Sequence, residues 1–313
     1  MFLWTRRLLL VSFAATTLLP NVAEAQDKFP SRPITVVVPF PPGAMTDFVG
    51  RLVAERLTSA LGTPVVVENR AGASGMIGTD QVIKAPADGY TLLIMTTDAT
   101  VRMMQNREQS PLDQLSHIAM LASQPMMLVV GSKQPATLPD YVRNAKQNPG
   151  TVSFGSNGEG SATHLAMEDF AKQAGIRLNH IPYKGAVPAL NDVIGGQLDS
   201  MPISFQAAGG HLAGGKIRAL AISGQKRLAS APQVPTFAES GFPQFELRLW
   251  YGLSAPKGLP EPIRERLQKA VQSAFDSPEV RSRLASQAGE SMAGVEAQAF
   301  MRTEVQHWRG TLK

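Results

Sequence analysis

Three glycine-rich segments carry the residues best suited to chemistry in this chain of 313 residues. They are Pro41 to Asp47, Arg70 to Thr79 and Gly155 to Thr163, and each follows an apolar run and feeds a helical pattern. Glycine lets the backbone approach a ligand closely, and the unpaired N–H groups at a helix start favour an anion. Small carboxylates or phosphates are the chemistry such loops suit. One such loop does no more than turn the chain in many βα units. Three of the same kind, two early and one late, point instead to a cleft lined by helix starts from both sides.

Catalytic motifs fit poorly. Gly158-Glu159-Gly160-Ser161-Ala162-Thr163 has the form of a dinucleotide fingerprint, but Thr163 stands where the third glycine belongs and no acidic residue follows about 20 positions on. A phosphate-cradling loop ending in Lys-Ser/Thr is absent, as is a Gly-x-Ser-x-Gly elbow. His117, His164, His180, His211 and His307 lie far apart without metal spacing and read as surface or capping residues. The sequence has no cysteine, which removes disulfides, thiolate metal sites and cysteine nucleophiles. Few ionisable residues border the loops: Asp47, Arg70, Asp98, Glu159, His164 and Lys184. Asp47 sits in a first turn, where capping accounts for it. No carboxylate pair at helical spacing presents itself for acid–base work. No catalytic residue, metal or cofactor is expected.

The elements that must position these loops alternate between short apolar runs and amphipathic helices, the pattern of βαβ units in mainly parallel sheets. Strands are expected at 34–40, 64–68, 90–96, 126–131, 152–155, 178–183, 198–204, 217–223 and 247–255. Thr46 to Leu61 is the clearest helix, with Val49, Leu52, Val53 and Leu57 on one face and Gly62 placed to end it. Thr163 to Ala174 repeats the design before Gly175. The final 60 residues read as helical. Two α/β blocks result, the first ending near residue 125, with crossings expected at the strands 126–131 and 247–255. If the C-terminal helices pack on the first block, the domains are 26–125 plus 254–313 and 126–253.

Composition agrees with a folded, exported protein. Hydrophobic residues make up 43% and charged residues 18%, neither disordered nor fibrous. Arg6 and Arg7, the apolar run from Leu8 to Leu19 and Ala23-Glu24-Ala25 read as a signal peptide over residues 1–25, cleaved after Ala25. The general secretory route is preferred to the twin-arginine one. Cleavage removes Arg6, Arg7 and Glu24 and takes the net charge from +5 to +4. That is too weak, and too scattered, for a nucleic-acid surface. The expected compartment is a bacterial periplasm.

The wording of the motifs resembles the Bug family, the TctC-like solute-binding proteins of tripartite tricarboxylate transporters. The first block carries Pro42-Gly43, Val67-Glu68-Asn69-Arg70 with Gly72, Gly75 and Gly78, and Asp88-Gly89-Tyr90-Thr91-Leu92. The second carries Phe154-Gly155-Ser156, His164-Leu165-Ala166, Pro182-Tyr183-Lys184-Gly185 and Gly195-Gly196-Gln197, and Trp250 with Gly252-Leu253 follows. The resemblance covers the whole mature chain. It implies a type II-like periplasmic binding protein, α/β in both domains, that closes on a small carboxylate and delivers it to a membrane transporter.

Residues expected at the ligand are Phe40, Gly43, Ala44, Thr46, Asp47, Gly75, Thr97 and Asp98 from the first block. From the second they are Ser156, Gly158, Gly160, Ser161, Thr163, Tyr183, Ile203 and Ser204. Two departures from the family bear on the ligand. Ala44 replaces a frequent glycine, and Ile203 stands where many relatives have an acid or amide. An apolar residue there cannot pair with an ammonium, which favours plain or aromatic carboxylates over amino acids. The expected state is a monomer. A sensing partner of a membrane receptor and an exported enzyme remain as alternatives.

Overall fold

The computed structural model describes residues 29–106 and 110–311. The expected signal peptide lies outside them. The first half runs β1 (Ile34–Val38), α1 (Met45–Leu61), β2 (Val65–Asn69), α2 (Met76–Ile83), β3 (Thr91–Thr96), α3 (Thr97–Asn106), α4 (Pro111–Gln114) and β4 (Leu115–Pro125). The chain then enters β5 (Met127–Gly131), α5 (Leu138–Gln147), β6 (Ser153–Ser156), α6 (Ala162–Ala174), β7 (Asn179–Pro182), α7 (Ala186–Gly195), β8 (Ser200–Ile203), α8 (Phe205–Ala213) and β9 (Ile217–Ile222). It returns through β10 (Arg248–Pro256), α9 (Glu261–Asp276), α10 (Pro278–Ser286), β11 (Glu290–Ser291) and α11 (Ala297–Thr311).

Two sheets form, ordered β11-β4-β10-β3-β1-β2 and β7-β6-β8-β5-β9. Apart from the edge pair at β11, the two orders share one pattern. A parallel trio is followed by a single antiparallel strand and then a strand running with the trio. β10 opposes both β3 and β4, and β5 opposes both β8 and β9. The opposed strand of each sheet is the one the chain enters on arriving from the other sheet, so its reversed direction is a consequence of the crossing.

The crossings are sharper than expected. β5 and β10 each pair along their length within one sheet, and the chain changes sheets just before each of them. β4 stays in the first sheet to Pro125 and β5 joins the second at Met127, leaving Met126 between them. Residues 248–253, assigned above to the second domain, pair with β3 and β4 in the first sheet. An inserted strand needs two ladders of partners, and these are supplied only by that sheet.

β4 itself is absent from the expected strands. Its sequence, Leu-Ser-His-Ile-Ala-Met-Leu-Ala-Ser-Gln-Pro, is buried on both faces, so no alternation marks it. Polar residues also interrupt the apolar run. β10 partners one polar atom of each: His117 Nδ1 meets Ser254 Oγ at 2.9 Å, and Gln124 Nε2 donates to Tyr251 Oη at 2.6 Å. β11 likewise breaks the C-terminal helices, pairing Glu290 and Ser291 with Ser123 and Ala122.

Helices cover both faces of both sheets. Along β1, Val36 and Val38 face a core shared with α1 and α9, while Val37 faces Leu93, Met95 and residues of α2, α3 and α11. In β5 the same alternation sends Leu128 and Val130 to one core and Met127 and Val129 to another. The strand-to-helix loops of the two sheets are thereby left facing each other.

One buried hydroxyl ties the crossings together. Ser223 Oγ accepts from Met126 N at 2.9 Å and donates to Leu247 O, and Ser223 N donates to Met126 O at 2.8 Å. Ser223→Ala leaves a buried N–H and a buried carbonyl without that partner. We expect a loss of about 1–3 kcal/mol in urea unfolding, and an unchanged midpoint would show that the crossings do not depend on this hydroxyl.

Candidate functional site

The first wall of the cleft begins after β1. Gly43 adopts φ +100°, and Ala44 precedes α1 without a side-chain cap. Asp47 supplies the missing acceptor from the first turn of α1. Its Oδ2 receives Gly43 N at 3.2 Å and Arg51 Nε at 2.9 Å, and its Oδ1 receives Asn69 Nδ2 at 3.0 Å. Burial alone would raise its pKa, but the bonds from Arg51, Asn69 and Gly43 prevail and hold it below the ordinary value. Every contact of Asp47 named here serves the loop, in keeping with a capping role. Space is not what requires glycine at position 43: an added Cβ would meet only Val187 Cγ2, at 3.7 Å, so the positive φ is the constraint.

The loop after β2 is strained. Ala73 and Ser74 both take left-handed φ, 50° and 54°, between Gly72 and Gly75. This conformation presents Ser74, whose Oγ donates across the cleft to Glu159 O at 2.9 Å. β3 passes directly into α3. There Thr97 Oγ1 accepts from Trp250 N at 2.9 Å, which fixes the end of β3 against β10. Thr46, at the start of α1, hydrogen-bonds the buried Tyr251, and Phe40 lies against Gly75.

The second wall is the loop after β6. Ser156 Oγ lies 3.0 Å from Gly158 O and 2.7 Å from His180 Nε2. Asn157 N donates to Thr163 Oγ1 at 3.0 Å, Gly160 N to His164 Nδ1 at 3.1 Å, and Ser161 Oγ caps α6 by accepting His164 N. Ser204 caps α8 in the same way, from Ala207 N. Tyr183 Oη donates to Asp192 at 2.6 Å, and burial together with that carboxylate pushes its pKa up to about 12.

Asp98, in the first turn of α3, crosses between the walls. Its Oδ2 accepts Asn157 Nδ2 at 2.6 Å and its Oδ1 accepts Ala162 N at 2.9 Å. Glycines let the walls approach this closely. A Cβ on Gly158 would sit 2.6 Å from Ser74 Oγ, one on Gly160 would sit 2.8 Å from Arg102 Nη1, and one on Gly185 would sit 2.8 Å from Pro41 Cδ. Between the walls a cavity of about 230 Å³ remains, bordered by Ser74 and Arg102 on one side and Glu159, Tyr183 and Lys184 on the other. A larger hollow of about 460 Å³ lies beside the crossings, near Arg227 and Glu290, where none of these loops reaches.

The expected residues therefore divide. Phe40, Asp98, Gly158, Gly160 and Tyr183 lie where the halves meet or at the remaining cavity, whereas Gly75 lies against Phe40 and Ala99 within the first half. Thr46, Thr97, Ser156, Ser161, Thr163 and Ser204 are buried and hold the loops and helix starts in shape. Ile203 is fully buried in the second core with Met127 and Met201, so its apolar side chain says nothing about the charge of a ligand. Ser74, Arg102, Asn157, Glu159 and Gly185 were not singled out as ligand residues. Ser74, Asn157 and Glu159 all lie inside the glycine-rich segments of the sequence, but the left-handed conformation at 73–74 carries no sequence mark.

His164 and His180, 16 positions apart, stack with centroids 3.7 Å apart at 10°, and the Phe154 ring lies beside the pair, 4.9 Å from His180 and 6.2 Å from His164. Burial and His164 push the pKa of His180 down to about 4 against the opposing pull of Glu159, so it is neutral at neutral pH. Ligand atoms of Glu159, His164 and His180 lie within 4.8 Å of one another. Stacked rings, however, direct their in-plane lone pairs side by side rather than at one point. His164 Nδ1 is also taken up by Gly160 N. The pair braces the loop after β6 and is not arranged to hold a metal.

Two α/β units with matching strand order and facing loops define a two-domain solute-binding protein. Residues 49–311 match the family described as tripartite tricarboxylate transporter family receptor, TctC. The chain belongs to this family. It is 37% identical over 298 residues to protein BugT of Bordetella pertussis, covering 92% of this chain and 90% of that one. Among solved structures, periplasmic binding protein BugD is similar with a TM-score of 0.83 at 34% identity, over 90% of this chain and 97% of that one. MatC of Rhodopseudomonas palustris with bound malate scores 0.85 at 28% identity, over 91% and 100%. Rpa4515 of R. palustris with adipate scores 0.84 at 31% identity, over 90% and 97%.

If closure depends on the glycine contacts, Gly158→Val should hold the walls apart. We expect ligand affinity to fall about tenfold or more, with unchanged circular dichroism and a larger radius by X-ray scattering. Retained affinity would place the ligand outside this cleft.

Proposed function

We propose that the protein is an exported, periplasmic binding protein that captures a small carboxylate by closing its two halves and delivers it to a tripartite tricarboxylate-type membrane transporter. The working units are a first domain of both chain ends, with β10 included, and a second domain from Met126 to Leu247. The protein acts as a monomer, without a cofactor. Aliphatic di- or tricarboxylates are the leading ligand class, with aromatic carboxylates second.

The observation that carries this reading is the pair of facing walls built from strand-to-helix loops, where the Asn157 amide and the backbone N–H of Ala162 on one wall hold the carboxyl group of Asp98 from the other. Such N–H groups suit an anion held by backbone and hydroxyl donors rather than by a cation. The malate and adipate held by MatC and Rpa4515 are of the size and charge this arrangement favours. Among the described residues no helix is long and apolar enough to cross a membrane.

A thermal-shift screen of the mature protein, refolded to remove carried-over ligand, tests the ligand class. A ligand at about 100 times its dissociation constant adds about 2.7 kcal/mol to stability, enough to move the midpoint by several degrees. We expect C4 to C6 dicarboxylates to stabilise the protein and sugars and nucleotides to leave it unchanged. Stabilisation by the latter alone would end the carboxylate reading.

A further inference from the structure

The start of α6 already holds a carboxyl group in this structure, and the group is the protein's own. Asp98 belongs to the first sheet's side of the cleft, whereas its donors, the Asn157 amide and the backbone N–H of Ala162, with a further backbone bond from Thr163, all belong to the second. The carboxylate is only 3% exposed. These donors are neutral, so the group is held by dipoles alone. Burial pushes its pKa up while the Asn157 and backbone bonds pull it down, with burial the larger effect.

We propose that Asp98 is a specificity-determining latch: its carboxylate occupies the seat of the ligand carboxylate, and a ligand binds by displacing it. The inference rests on the carboxylate-binding reading above and adds to it the group a ligand must outcompete. Three features favour it. Asn157 and the α6 start together form a preorganised anion seat, with a side-chain amide and two backbone donors converging on one carboxylate. The bonds run between the halves, so filling the seat with Asp98 closes the cleft as a bound ligand would. A ligand carboxylate cannot take these donors while Asp98 holds them, because the Asn157 and Ala162 N–H groups are directed at its two oxygens.

The latch has a measurable consequence, since a ligand that meets its seat free only part of the time shows an affinity weakened by that fraction. If Asp98 occupies the seat nine-tenths of the time, removing it tightens binding about tenfold. The test compares the wild type with Asp98→Ala and Asp98→Asn, titrating malate and adipate by calorimetry and measuring the unliganded radius by X-ray scattering. Asn preserves the shape without the charge, which covers the case in which Ala disturbs the fold.

Both variants are expected to bind at least one of these acids more tightly, Ala by about tenfold, and unliganded Asp98→Ala to have a larger radius than the wild type. Equal or weaker affinity overturns the competition, since Asp98 would then be a ligand contact or a bystander. An unchanged radius overturns the latch. If neither acid, nor any other carboxylate, binds any of the three proteins, it is the carboxylate reading that fails, and the radius comparison still decides whether Asp98 holds the cleft shut.

Discussion

A helix start leaves backbone N–H groups without acceptors, and a buried one left so costs as much as a lost hydrogen bond. In this protein the helices that follow the central strands of both sheets begin at the cleft, and most of its polar arrangement answers that need. Ser161 and Ser204 cap their own helices, and Asp47 reaches back to Gly43 because Ala44 has no side chain able to do so. The start of α6 takes a further acceptor, Asp98, from the opposite wall in addition to its own Ser161 cap. That bond joins the two walls across the cleft.

Closure depends on backbone shape as much as on polarity. Gly158, Gly160 and Gly185 stand where the second wall meets Ser74, Arg102 and Pro41 of the first, and a single methyl group at any of them would collide. The left-handed Ala73 and Ser74 belong to the same contact, since their conformation brings the Ser74 hydroxyl to Glu159 O. Behind the cleft, Ser223 joins both crossings through its hydroxyl. The chemistry of the site is therefore divided between two rigid sheets. Neither half alone presents both walls.

Much of this was legible in the sequence because it rests on local signals. Continuous apolar runs marked the parallel strands, Gly62 and Gly175 marked helix ends, and the loops after β1, β2 and β6 stood out by composition. The features that were not legible depend on partners distant in the chain. β4 hides because its polar residues find their partners on β10. His164 and His180 stack only once α6 and β7 lie side by side, and Asp98 meets Asn157 across 59 positions. Ile203 shows the reverse case, a residue whose sequence neighbourhood suggested the ligand while its side chain belongs to the second core.

The central claim is that one small carboxylate touches both walls at their helix starts. Backbone amide shifts of the isotope-labelled protein during an adipate titration test it most directly, because they report on the donors themselves. Large shifts are expected at both Gly43–Asp47 and Asn157–Thr163, saturating together. Shifts confined to one wall, or centred on the hollow near Arg227, would contradict it.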